Sequence, residues 1–336
     1  MSTRTTPPRC AAGLSLIELL VVIAILAATA GMVISMTDKF DERTRFEETA
    51  SRLGEIRSAI LGPEAVSTTG DLLSGGYLQD MGWLPDSSAD LLRATEASPS
   101  TPVPALTYDS VWRTWAGWRG PYLAAPPAHK NGGVALYDDY GNDFYGWFAE
   151  SSSQASWEVP RLSGDLAVRS MGADGRKDSG GGQTRVFQSD FPAAQQPLIA
   201  EAEWVTDLRG LQVEVTNLTA VDFSASPVQA RFRIIVPRWD HPSNPLGHWD
   251  NPDSDEFIGR SFSLDVAAGG SEAGLNLKVY DFAPSGRPIR IPHGRRMLFL
   301  VRDSDGQPLP GVRACAELLV SRRLSPPSYV KLTIRY

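Results

Sequence analysis

The chain has 336 residues, a formal net charge of −7, 42% hydrophobic and 21% charged residues, with 30 Gly and 25 Pro. That length holds two or three ordinary domains, and the Pro and Gly content predicts many turns and short strands. The acidic balance disfavours nucleic acid as a general partner. Only Cys10 and Cys315 are present. Loss of Cys10 with a leader would leave no intramolecular disulfide, so the fold must stand on packing.

Residues 14–36 read LSLIELLVVIAILAATAGMVISM, a stretch that spans about 34 Å as a helix at ~1.5 Å per residue and so crosses a bilayer. Arg4 and Arg9 precede it and a mixed-sign segment, Asp38 to Arg45, follows it. The positive-inside bias therefore leaves the N-terminus cytoplasmic and exports the bulk of the chain. Glu18 is the anomaly, because an unpaired carboxylate in hydrocarbon costs roughly 2.5 kcal/mol or more. Three readings compete for this segment. It is a filament-type signal, a secretory signal peptide cut after Ala28-Thr29-Ala30, or a plain membrane anchor with Glu18 near the interface. A carboxylate inside the apolar core argues against the second.

The run Gly13-Leu14-Ser15-Leu16-Ile17-Glu18-Leu19-Leu20-Val21-Val22-Ile23 resembles the type III signal of type IV prepilins and type II secretion pseudopilins. The resemblance implies cleavage between Gly13 and Leu14 by a prepilin peptidase and methylation of the new amine on Leu14, where most members of the family begin with Phe. It also gives Glu18 a role. As the fifth mature residue it lies one helical turn from the freed amine, so the amine of one subunit neutralises the carboxylate of the next and fixes axial register. The implied partners are other pilin or pseudopilin subunits, the peptidase, an inner-membrane assembly platform and the membrane itself, with no nucleic acid. The implied location is the bacterial inner membrane, single pass, with the C-terminal domains periplasmic or in an extracellular filament.

Beyond the span, apolar or small residues recur at Phe46, Ala50, Leu53, Ile56 or Ala59, and Ile60, with charges between them. This is helical spacing. Gly62-Pro63 ends it, Gly as a C-cap and Pro as a stop. Residues 14–62 then form one spine helix of roughly 70 Å. A secretory signal has no reason to run on in this way.

Residues 63–199 read as a loop-rich α+β head. Trp118-Arg119-Gly120-Pro121-Tyr122-Leu123, Asp138-Asp139-Tyr140-Gly141-Asn142-Asp143-Phe144-Tyr145 and Val168-Arg169-Ser170-Met171-Gly172-Ala173-Asp174-Gly175 resemble, in order, three pieces of the major pseudopilin of type II secretion systems. Tyr140 stands where that family has Trp. In the family the third piece begins a calcium-binding loop, which makes Ser170, Asp174 and Asp178 candidate side-chain ligands among glycine-punctuated carbonyls. The family's later acidic pair is missing, and the alternative is an ordinary Asp-Gly turn. Apart from possible calcium, no cofactor is expected. Trp112, Trp115 and Trp118 recur every third residue and are read as core anchors in preference to a sugar-binding strip.

From residue 200 to 336, seven short β-rich runs are expected at 211–215, 229–236, 261–266, 275–280, 297–301, 312–320 and 329–334, divided by Pro, Gly, Asn and Asp. They suggest a β-sandwich-like domain, with Cys315 a buried small hydrophobe. The loop 239–257 holds two His and several acids without a recognised metal spacing and reads as a solvated acidic loop. The whole is thus α+β: leader 1–13, spine 14–62 with its membrane span at 14–36, head, and β domain. No nucleophile elbow, P-loop, dinucleotide fingerprint or paired-cysteine metal site occurs. The expected function is therefore structural, as a subunit of a periplasmic pseudopilus or type IV filament supporting type II secretion. The alternatives are a minor or tip pilin whose β domain binds a surface or secreted substrate, and a membrane-tethered exported hydrolase.

Overall fold

The apolar run and the amphipathic stripe join without a break. In a computed structural model, helix α1 covers Leu16–Leu61, which at ~1.5 Å per residue is about 69 Å. It stops where expected: Gly62 has φ 86°, a left-handed geometry that suits glycine, and its N–H bonds the Ser58 carbonyl at 2.9 Å. The structure describes residues 16–62, 76–85, 87–92, 106–110, 112–124, 136–147, 164–177, 191–192, 196–236, 259–269, 276–282, 290–320 and 329–336. The acidic loop 239–257 lies outside them.

The head follows α1 as short pieces: α2 (Tyr77–Met81), α3 (Ala89–Leu92) and an antiparallel pair, β1 (Thr107–Asp109) with β2 (Thr114–Ala116). Its remaining described segments join through isolated bridges such as Tyr145 to Arg169 and Ser170 to Phe191. Of the three tryptophans, Trp112 is 2% exposed and stands edge-on to Phe299 at 5.2 Å. Trp118 donates its indole N–H to the Asp90 carbonyl at 3.0 Å, whereas Trp115 is 57% exposed. Two of the three are therefore anchors.

After β3 (Val205–Asp207) come β4 (Gln212–Asn217), β5 (Val228–Ile235), β6 (Phe262–Leu264), β7 (Leu277–Asp281), β8 (Arg290–Pro292), β9 (Gly294–Arg302), β10 (Arg313–Val320) and β11 (Tyr329–Arg335). The seven expected runs are the seven strands of one sheet, ordered β6-β5-β9-β10-β11-β4-β7. Only the β11–β4 pair is parallel among its neighbours. The sandwich is this single sheet curled on itself. Strand β10 turns the corner, pairing with β11 through Arg313 and Ala314 and with β9 from Cys315 to Val320. At the far side the outermost strands meet: Phe262 stacks on Tyr280 at 4.3 Å, and the Tyr280 hydroxyl donates to Asp265 at 2.8 Å. Strands β3 and β8, which the sequence pattern does not predict, form a separate antiparallel pair.

One buried cluster runs from Leu53, Ile56 and Ile60 of α1 through Leu78 and Leu91 of the head to Trp204, Phe232 and Leu332 of the β region. Alternation along the strands supplies the inner face: Val213 and Val215, Phe232 and Ile234, Leu298 and Leu300, Leu332 and Ile334 are all buried. Arg296 shares that face yet is 1% exposed. Its guanidinium donates to the carbonyls of Gln79 at 2.9 Å, Pro292 at 3.1 Å, Leu78 at 3.4 Å and His293 at 2.5 Å, so a β9 side chain caps the end of α2. Burial pulls its pKa down to about 9, with nearby Asp80 opposing the shift, and it stays charged at neutral pH. Asp80 is itself shifted upward by burial against the pull of Arg119 and Tyr122. Arg296→Met should lower unfolding stability by about 3 kcal/mol, since several buried carbonyls lose their donor at once. Arg296→Lys should recover less than half of this, lacking the planar fork. Denaturant unfolding of the detergent-solubilised chain measures both, and a loss below about 1 kcal/mol for the Met variant would contradict the assignment.

Candidate assembly site

Helix α1 has two halves with different solvents. From Leu16 to Asp41 every residue is exposed, and Leu16, Ile17, Met32 and Val33 show 83%, 72%, 71% and 62% of their surfaces. Leaving such side chains in water forfeits roughly 1.5–3 kcal/mol each relative to burial. A helix is the form that lipid accepts, because its backbone groups pair internally. The hydroxyls in this half are satisfied the same way: Thr29 donates to the Ile25 and Leu26 carbonyls at 3.0 Å, and Thr37 to Val33 at 2.9 Å. The ladder passes through Gly31 uninterrupted, and a side chain there would meet nothing within 4 Å. Glu18 lies in the first turn, exposed among the apolar residues. Gly13 and Leu14 lie outside the described residues.

The second half carries the head. Thr49, Leu53, Ile56, Ala59 and Ile60 are buried, so the amphipathic stripe is the one expected, with Thr49 added. The turn 138–142 docks on that stripe. The Thr49 hydroxyl accepts the Asp139 N–H at 3.2 Å, Arg52 donates to the Tyr137 carbonyl at 2.6 Å, and the Tyr140 hydroxyl donates to the Glu42 carbonyl at 3.3 Å. Arg52 also lies 3.5 Å from the Asp139 carboxylate. One turn further along, Arg57 forms a two-pronged pair with Glu203, both contacts 2.8 Å, and donates to the Leu198 carbonyl at 2.8 Å. Part-buried bidentate pairs of this kind fix geometry as well as adding energy.

The second and third family-like pieces interlock behind this turn. Asp138, 2% exposed, accepts the Asn142 N–H at 2.7 Å and the Ser170 hydroxyl at 2.6 Å. Ser170 accepts the Gly172 N–H at 2.9 Å, and Asn142 donates to the Gly172 carbonyl at 2.9 Å. Gly175 has φ 63°, and a Cβ there would sit 3.1 Å from the Asn142 side-chain oxygen. Of the three calcium candidates, Ser170 is thus engaged in a buried bridge, and Asp174 accepts the Arg176 N–H at 3.0 Å in a local turn. Asp178 lies outside the described residues. Among the described residues no group of three or more His, Cys, Asp and Glu side chains is placed to hold one metal ion. The contacts missed at the sequence level are Thr49, Arg52 and Arg57. A threonine in step with Leu53, Ile56 and Ile60 is the signal that could have found the first.

Among protein-family models, the prokaryotic N-terminal methylation motif matches residues 8–34. No curated protein and no solved structure matches the chain at a significant level. The motif and the bare apolar helix support a type IV pilin-like exported subunit and suggest a single-pass membrane anchor. It is consistent with processing by a prepilin peptidase and assembly with other pilin subunits.

Ser170→Ala should lower the stability of the head by about 1–3 kcal/mol, because the buried Asp138 carboxylate loses a short hydrogen bond. Thermal melts in chelator and in millimolar calcium should show the same loss. A loss that appears only with calcium would instead make Ser170 a metal ligand.

Proposed function

We propose that this protein is a structural, non-catalytic subunit of a periplasmic pseudopilus or related type IV filament that supports type II protein secretion. The observation that carries the reading is the methylation motif running without a break into a helix whose first half is uncovered and whose second half forms the core of the head. The interlocked segments around Asp138 and Ser170 support the pseudopilin form of the reading, since they are the pieces that resemble the major pseudopilin and they meet in one docked turn.

In this reading the N-terminus is cytoplasmic, the apolar half of α1 stores the subunit in the inner membrane, and the rest is periplasmic. Cleavage between Gly13 and Leu14 frees an amine one turn from Glu18. Lateral packing of helices then moves the exposed side chains from lipid to protein, where close side-chain packing replaces acyl chains. Glu18 pairs with the amine of the adjoining subunit, which neutralises a carboxylate in hydrocarbon and selects one axial register.

Glu18→Ala and Glu18→Gln should insert and be processed normally, with methyl-leucine found at Leu14 by mass spectrometry. Their incorporation into sheared filaments should fall at least about ten-fold, the consequence of losing a buried charge pair. Wild-type levels of incorporation, or a mature terminus at Gly31, would overturn the reading.

A further inference from the structure

The overall charge is −7, yet one face of the curled sheet collects cations. A cleft of about 370 Å³ is lined by Arg113, Arg313, Lys331 and Arg335, with Thr333 and Tyr336 beside them and no carboxylate side chain in its wall. Arg313 of β10 and Arg335 of β11 are partners directly across the ladder. Like charges so placed repel and destabilise a sheet. Neither has an ion-pair partner among the described residues, and both are exposed. Lys331, nearest a carboxylate, stands 3.6 Å from Glu214 and its side chain is 80% exposed. Arg113 reaches the same cleft from the turn between β1 and β2, where it holds φ 51°, the left-handed region that a side-chain-bearing residue seldom adopts. Three elements thus converge on a site of four cationic side chains, one of them through unfavourable backbone and two through mutual repulsion. Such arrangements persist where binding needs them.

Arg113 also lines a second cleft of about 460 Å³ together with Trp115 and with Arg119 and Arg295, which are ion-paired to Asp80 at 3.0 Å and Glu317 at 3.4 Å in the same wall. At its edge Trp115 and Tyr108, 57% and 47% exposed, pair at 5.2 Å. The two clefts share Arg113, so guanidinium groups and exposed flat rings lie along one path. Strand β10 pairs with β11 only through Arg313 and Ala314 before it turns away to β9, and at that corner the cations present their side chains to a ligand. An acidic peptide offers charge to the cations but no regular run of apolar ring faces to Trp115 and Tyr108. Nucleic acid brings a dense line of phosphates that an acidic protein repels at range. A sugar chain carries its carboxylates sparsely and has apolar ring faces for the aromatics.

We infer that the face formed by Arg113, Arg313, Lys331 and Arg335, continued by Trp115, binds an anionic polysaccharide of the uronic-acid type. The site is shared by the β1–β2 turn of the head and the β region and does not depend on filament assembly. Its test uses the full chain in nanodiscs with four probes: polygalacturonate, neutral dextran, oligo-dT and poly-glutamate. Polygalacturonate should bind at low salt and weaken as salt rises. Arg313→Gln and Arg335→Gln should each weaken it about ten-fold, the effect of one charge-assisted contact, and Trp115→Ala should weaken it several-fold. Arg313→Gln should also melt at the same or a higher temperature, because a like-charge pair is removed; a structural arginine would give the opposite shift. No binding of polygalacturonate, equal binding of dextran, tighter binding of oligo-dT or poly-glutamate, or unchanged binding in the Arg335→Gln variant would each overturn the inference.

Discussion

The constraint on which the rest of the structure depends is that one hydrogen-bonded ladder, Leu16–Leu61, must satisfy two surroundings at once. Its first half is apolar on every side and finds no cover within the chain, while its second half offers a single stripe and buries it. Because the helix is continuous, the position of the head along α1 is set by where the stripe begins. Thr49 and Arg52 mark that point by gripping the turn 138–142, and Arg57 repeats the grip on Glu203 at the entry to the β region. The head is held on α1 by apolar packing around Leu53, Ile56 and Ile60, and these polar contacts fix its orientation.

The same economy appears at the boundary between head and β region. A single buried core crosses it, so the added sheet is packed against the spine and α2, not strung beside them. Arg296 performs the joining that an apolar residue cannot, since the carbonyls at the end of α2 need donors and a guanidinium supplies several in one plane. Arg233 does related work on the outer face, lying 4.8 Å from the centre of the Trp112 ring. Trp112 in turn covers Phe299, which places the β1–β2 turn, and with it Arg113, over the sheet.

Much of this was legible from residue patterns. The spine helix, its end at Gly62 and the seven strands of the main sheet follow from period and punctuation, signals that are local and strong. The β3–β8 pair was not legible, because each strand is three residues long and too short to show alternation. By resemblance Ser170 is a candidate metal ligand, with an ordinary turn as the alternative, and its hydroxyl meets Asp138 thirty-two positions away. A serine before a glycine-rich turn reads the same in either role until its partner is known.

By itself the sequence determined which segments are helix or strand, that the first of them is made for lipid, and that Glu18 is the one ionisable residue in its apolar run. These are matters of neighbours three, four or two positions apart, where side-chain period and backbone preference act. Only the tertiary structure decided that the sheet curls so that β6 and β7 face each other, that Arg296 caps α2 from 217 positions away, and that Arg313 and Arg335 stand side by side. Those contacts join residues far apart along the chain, and their partners are chosen by how the whole core packs, which no short stretch of sequence encodes.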